Sequence, residues 1–349
     1  MRNLPLMITL VSAVGFGCGA SSPHGTAGTG TQINGKGDSV ADGGDDPPLI
    51  FGDGGAGNMD QNCGGMEFTL DRVAPNLFLV VDRSGSMSDP ANLFQLPWVA
   101  KWDSLKTTLS SITTTYNSKI RFGLSMFPDP AKSSTDDCAP GTVELACAAN
   151  TGGQVMTKIN AADPDGSTPT AITLDNVRTQ GGLNDATRGN YVVLVTDGEP
   201  NCDDTDVVTR INKLYNATPS VKTFVIGFGD AFSSDPTALN SWAVAGHTDR
   251  AGSTKYYQSN NQQDLQTALD TIAGSIGSCT FHLGSQAPDP SQLYVWEGTT
   301  AVPADATNGY TYDNAGPTLV LHGTSCDAVK GDMGAKVSVI YGCPSPPIN

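Results

Sequence analysis

At 349 residues the chain is too long for one typical compact domain and predicts two folded units plus unstructured chain. Its formal net charge of −16 argues against nucleic acid as a partner, because phosphate backbones are held by clustered Lys and Arg, and no basic run occurs here. The acidity itself reads as the solubilised surface of an exported protein rather than as one dedicated cation-binding face.

Residues 1–18 read as a signal peptide: Arg2 precedes an apolar segment from Leu4 to Phe16, too short to span a bilayer. Its end, Gly15-Phe16-Gly17-Cys18, resembles a bacterial lipobox, which implies lipidation of Cys18. Gly15 stands where Leu is usual and Phe16 is bulky, so cleavage nearby without lipid, giving a secreted protein, is the alternative. No later stretch is apolar enough to cross a membrane, so the expected location is the bacterial cell envelope, with attachment only through a lipid anchor. Residues 19–60 carry 12 glycines with Ser, Thr and Asp and predict a disordered tether, since little apolar surface offsets the entropy of ordering. Within it, Gly30 to Gly35-Lys36-Gly37 is a near miss to a phosphate-binding loop; the preceding strand, the following helix and the Ser or Thr after Lys are all lacking.

From residue 63 to 278 apolar runs alternate with helical patterns, predicting an α/β fold with a doubly wound, mostly parallel sheet flanked by helices. The clearest strands are Leu77 to Val81, Ile120 to Met126, Tyr191 to Val195 and Thr223 to Phe228. Trp98, Trp102, Leu105, Leu109 and Ile112 repeat at three and four residues and predict one core-facing helix. Val207, Val208, Ile211 and Leu214 predict another, and Leu265, Leu269, Ile272 and Ile276 the closing one. Residues 279–345 change to short alternating runs, Thr280 to Leu283, Leu293 to Trp296, Thr318 to Leu321 and Val337 to Tyr341, and predict a small antiparallel β unit, sandwich or meander.

The chemistry gathers in three separated segments. Asp82-Arg83-Ser84-Gly85-Ser86 ends the first apolar run and puts a carboxylate and two hydroxyls on one tight loop, a set suited to a hard divalent cation. Asp165-Gly166-Ser167-Thr168-Pro169-Thr170 supplies more oxygens, and Thr196-Asp197-Gly198 ends a second apolar run in another acid. In an α/β sheet both strands deliver their acids to the same edge. Together these segments resemble the metal-ion-dependent adhesion site of von Willebrand factor type A (VWA) domains. The resemblance implies a divalent cation, Mg²⁺, Mn²⁺ or Ca²⁺, contacted by Ser84, Ser86 and Thr168, with Asp82 and Asp197 direct or through water. The family register favours Thr168; Thr170 is the other candidate, as oxygen donor or helix cap. It further implies that an Asp or Glu of a protein ligand completes the metal shell, as in adhesion.

Two other function classes compete with this one: an envelope assembly protein with a merely stabilising metal, and a metal-dependent hydrolase. Hydrolysis is disfavoured because no Gly-x-Ser-x-Gly elbow is present, His24, His247, His282 and His322 are scattered, and Glu199 is the one local acid that could serve as base. The chain is therefore read as a non-enzyme. The acidic run Glu199, Asp203, Asp204 and Asp206 reads as a solvated loop capping the next helix. With Cys18 set aside, seven cysteines remain, and export predicts that most pair: Cys138 with Cys147, Cys326 with Cys343, and Cys63 with Cys279, leaving Cys202 odd. Their spacing disfavours structural zinc.

Overall fold

The computed structural model describes residues 66–342 except 93–95, 203–205, 231–234 and 333, all within one unit spanning Ala56–Asn349. The signal segment, Cys18, the tether, Cys63 and Cys343 lie outside the described residues.

In chain order the elements are β1 (Met66–Phe68), β2 (Leu70–Arg72), β3 (Asn76–Asp82), α1 (Lys101–Thr115), β4 (Arg121–Phe127), β5 (Val143–Ala148), α2 (Gly152–Asn160), α3 (Thr170–Gln180), β6 (Asn190–Thr196) and α4 (Val207–Tyr215). They continue with β7 (Val221–Phe228), α5 (Thr237–Ala245), β8 (Tyr257–Ser259), α6 (Gln262–Ser275), β9 (Thr280–Leu283), β10 (Leu293–Glu297), β11 (Thr300–Val302), β12 (Tyr310–Asp313), β13 (Thr318–Leu321), α7 (Gly323–Gly331) and β14 (Val337–Tyr341).

The central sheet runs β5-β4-β3-β6-β7-β8, parallel except for the edge strand β5. Strand β3 explains why it is covered on both faces. Leu77, Leu79 and Val81 point into one core with α1, α2 and α6, while Phe78 and Val80 point into a second core with α3, α4 and α5. Alternation of side chains along a strand, with every position apolar, requires a helical layer on each side. The helices meet that need: Leu105, Leu109 and Ile112 of α1, and Val207, Ile211 and Leu214 of α4, are fully or almost fully buried. Capping is supplied locally, by Asp206 accepting from Thr209 N and by Asn261 accepting from Asp264 N.

Helix α1 starts later than its sequence stripe suggests. Trp98 lies outside the helix and is 66% exposed, because Ala100 forms a β-bridge with Pro90 and Lys101 N donates to Asp89 O, closing a loop before the first helical turn.

The antiparallel unit consists of two four-stranded sheets, β1-β14-β10-β11 and β12-β13-β9-β2, whose inner faces share one core containing Phe68, Val295 and Val339 from one sheet and Phe281, Leu319 and Leu321 from the other. This is a sandwich. Strand pairing puts residues 66–72 with this unit rather than with the α/β part that the sequence opens at residue 63: β1 pairs β14 and β2 pairs β9. Arg72 fastens the junction by donating to Ser278 O at 2.7 Å and Val329 O at 2.9 Å. Helix α7 and strands β11 and β12 go beyond the sequence expectation.

The cysteine pairings differ from expectation. Cys138 bonds Cys202, Cys279 bonds Cys326, and Cys147 is a buried free thiol. Cys147 cannot close a surface hairpin with Cys138 because its side chain faces inward from β5 into the core beside Phe78. Burial pushes that thiol up to about 12, so it is inert at neutral pH. No described helix is long and apolar enough to cross a membrane.

Candidate metal centre

Strands β3 and β6 are parallel neighbours with Val81 opposite Val195, so the next residues, Asp82 and Thr196, stand side by side at the carboxyl edge. The chain turns to β4 on one side of β3 and reaches β6 on the other, which makes this edge a topological switch point. Asp82 is fully buried; its Oδ1 accepts from Ser84 N at 2.8 Å and its Oδ2 from the Thr196 hydroxyl at 2.6 Å. The Ser84 and Ser86 hydroxyls are 3.1 Å apart, and Ser86 donates to Asp197 Oδ1 at 2.8 Å. Asp197 Oδ2 accepts from Lys101 Nζ at 2.6 Å. Asp82, Ser84, Ser86 and Asp197 thus belong to one connected polar cluster.

The loop carrying the serines is held from beneath. Met87, in the 3₁₀ turn Gly85–Ser88, is fully buried and donates its N–H to Ser84 O. Arg83 points inward, donating from Nε and Nη2 to Asp163 O at 2.9 and 2.7 Å, and from Nη1 to Pro128 O at 3.0 Å and to Ser133 Oγ at 3.1 Å. One guanidinium therefore ties the first loop to two others, which its fixed fork of donors suits.

The Thr168 segment is brought alongside by backbone bonds. Asp165 N donates to Arg83 O, Gly85 N to Gly166 O, and Thr168 N to Asn201 Oδ1 at 2.8 Å. Thr168 is almost fully buried. Thr170 is the first residue of α3, and its buried hydroxyl is unpartnered among the described residues. The turn depends on Gly166, whose φ is +72° and where a Cβ would lie 2.9 Å from Asp137 O. Gly166→Ala is expected to lower stability by about 2 kcal/mol, combining left-handed strain with the contact, as read from denaturant unfolding.

Electrostatically the two acids are asymmetric. Burial, and next the nearby Asp197 charge, push the Asp82 carboxyl up to about 7, against the opposing pull of hydrogen bonds from Ser84 and Thr196. A divalent ion would reverse that balance by favouring the carboxylate. The donor set fits such an ion: the converging groups are two carboxylates and serine hydroxyls, all hard oxygens. A positive charge, the Lys101 ammonium, already stands on one of the acids. Among the described residues no three Asp, Glu, His or Cys side chains cluster as a metal site, so hydroxyls have to complete the set.

Sequence reasoning missed Lys101, Arg83, Thr196 and Asn201. Arg83 and Thr196 sit inside the quoted segments, yet their roles depend on which loops pack against them. Lys101 and Asn201 carry no spacing signal. Glu199 is exposed, His247 stacks on Tyr215, His282 faces the Thr318 hydroxyl and His322 the Thr311 hydroxyl.

An open, doubly wound sheet with an acid-and-hydroxyl cluster at its switch point defines a class of α/β domains that bind ligands at the carboxyl edge. A family profile for the von Willebrand factor type A domain matches residues 76–271, more than half of the chain. The chain belongs to this family. Similar solved structures include the pilus adhesin SpaC from Lactobacillus rhamnosus GG, at 14% identity over 78% of this chain and 39% of that one, TM-score 0.45. Proximal thread matrix protein 1 from the mussel byssus, with a zinc-occupied MIDAS motif, is 14% identical over 59% of this chain and 47% of that one, TM-score 0.41. The PilB minor pilin from Streptococcus sanguinis is 15% identical over 58% of this chain and 61% of that one, TM-score 0.40. The chain spans less than two thirds of each. No curated protein matches it.

Proposed function

We propose that this VWA-domain chain is an exported, envelope-tethered binding protein that holds a divalent cation at Asp82, Ser84, Ser86, Thr168 and Asp197. Through that cation it captures an Asp or Glu carboxylate of a protein ligand. The observation that carries this reading is the convergence of both buried acids and both serine hydroxyls in one hydrogen-bonded cluster at the sheet's carboxyl edge. A bound divalent ion supplies Lewis acidity toward an anionic oxygen, and two carboxylates formally neutralise it without quenching its pull on an incoming carboxylate. The protein's part is to fix the acids in place: Thr196 and Ser84 orient Asp82, while Arg83 and Met87 hold the serine loop. Export is supported by the signal-like start and by two disulfides. Cys18 is the proposed lipid anchor, with residues 19–60 as the tether.

Calorimetric titration of the chain with Mg²⁺, Mn²⁺ and Ca²⁺, beside Asp82→Asn, tests the site. Saturable binding that the variant loses is the expected result. A folded wild-type chain that binds none of the three ions ends the metal-dependent reading.

A further inference from the structure

Resting on that metal-site reading, we propose that Lys101 is a tethered counter-cation that competes with the divalent ion for Asp197 and holds the metal-free site together. Lys101 is unusual in being a lysine whose ammonium is drawn into a site of acids: its side chain is 10% exposed, and that of its partner Asp197 is fully buried. At 2.6 Å the ammonium takes Asp197 Oδ2 while Ser86 takes Oδ1, so both oxygens of this acid are engaged.

The lysine is aimed there by three segments. As the first residue of α1 it donates its backbone N–H to Asp89 O, beside the bridge of Ala100 to Pro90. Its stem runs past Gly229, where a Cβ would lie 3.4 Å from both Lys101 Cδ and Cε. Gly229 leaves β7 with φ +95° and is fixed by its N–H to Ser259 O, so the groove for the stem is part of the backbone. A lysine alkyl chain seated this way delivers its charge at a set point while spending little further rotamer freedom.

The charge balance gives the consequence. A divalent ion on Asp82 and Asp197 shares an acid with an ammonium of the same sign, in a buried setting where water screens poorly. The ion has to displace or weaken the Lys101 contact, so the lysine lowers metal affinity. Without metal, removing the ammonium strands a buried acid, which is strongly destabilising.

The 349-residue chain, Lys101→Met and Lys101→Arg are compared by Mn²⁺ calorimetry and by thermal unfolding with and without Mn²⁺. Lys101→Met should bind Mn²⁺ at least about tenfold more tightly than wild type. It should melt lower than wild type without metal and regain most of the difference when Mn²⁺ is added, while Lys101→Arg tracks wild type. If Lys101→Met does not fold, Lys101→Gln, which keeps a donor for Asp197 without the charge, carries the same comparison. Unchanged or weaker Mn²⁺ binding by the neutral variant, beside a wild type that binds, overturns the competition and leaves the metal reading standing. Absence of Mn²⁺ binding in both proteins overturns the two together.

Discussion

Asp82→Asn is expected to make the metal-free chain more stable than wild type at neutral pH while abolishing divalent-cation binding. The amide fits the site: its oxygen can accept from Ser84 N as Oδ1 does. Thr196 can turn its hydroxyl hydrogen to Gly198 O, 2.8 Å away, and accept from the new amide N–H. What the substitution removes is a charge that burial and Asp197 oppose. The Asp82 carboxyl moves from an ordinary 3.8 to about 7 on folding. Because the folded value is the higher one, the associated stability is fully present below about pH 4 and is lost as pH rises through about 7. That interval corresponds to about 4 kcal/mol when fully ionised. The stability difference between Asp82→Asn and wild type should therefore widen from about pH 4 to about pH 8 in metal-free buffer, and wild type should recover when Mn²⁺ is present. A variant less stable than wild type at the alkaline end of that range without metal would refute this account of the acid.

The second large effect concerns the Cys138–Cys202 disulfide. It joins the loop after β4 to the loop after β6 across a sequence separation of 64 residues. In the chain-entropy treatment such a closure stabilises by about 4 kcal/mol. The residues flanking the two sulfurs also position the Thr168 segment, since Asp137 O accepts from Ser167 N and Asn201 Oδ1 accepts from Thr168 N. The double variant Cys138→Ser, Cys202→Ser should lose stability in urea by that order and bind Mn²⁺ about tenfold more weakly, the scale seen when groups orienting a ligand are removed. Cys279→Ser with Cys326→Ser should also lower stability, yet leave Mn²⁺ affinity unchanged, since that bond lies in the sandwich core. Equal effects of the two pairs on affinity would show that the first disulfide has no special bearing on the site.

The sheet was legible because its signals are local. Five consecutive apolar residues from Leu77 to Val81 can be buried only with helices on both sides, and a carboxylate directly after such a run falls at the strand's end whatever the loops do. The approach of Asp82 to Asp197 followed from that alone. What stayed hidden depends on contacts distant in sequence. Nothing near Cys138 indicates that its loop meets Cys202, and nothing near Lys101 indicates that the helix entry swings its ammonium onto Asp197. Trp98 misled because it continues the apolar spacing, although the bridge between Pro90 and Ala100 ends the helix before reaching it. Strands β1 and β2 are three residues each, and only their partners identify them.

Those two short strands set an order on assembly. They are made before any strand of the central sheet, yet β2 has to wait for β9, and β1 for β14, the last strand described. The α/β part closes with contacts among its own elements, whereas the sandwich is completed only once β14, which follows all of them, has been synthesised. Pairings this distant form late and slowly, because the intervening chain must first be ordered. A chain cut short before β14 leaves β1 without its sheet partner, β10 as an open edge and the sandwich core uncovered, the kind of surface that sticks to other chains. A carboxylate-and-hydroxyl cluster that can form early is thus joined to a sandwich that cannot.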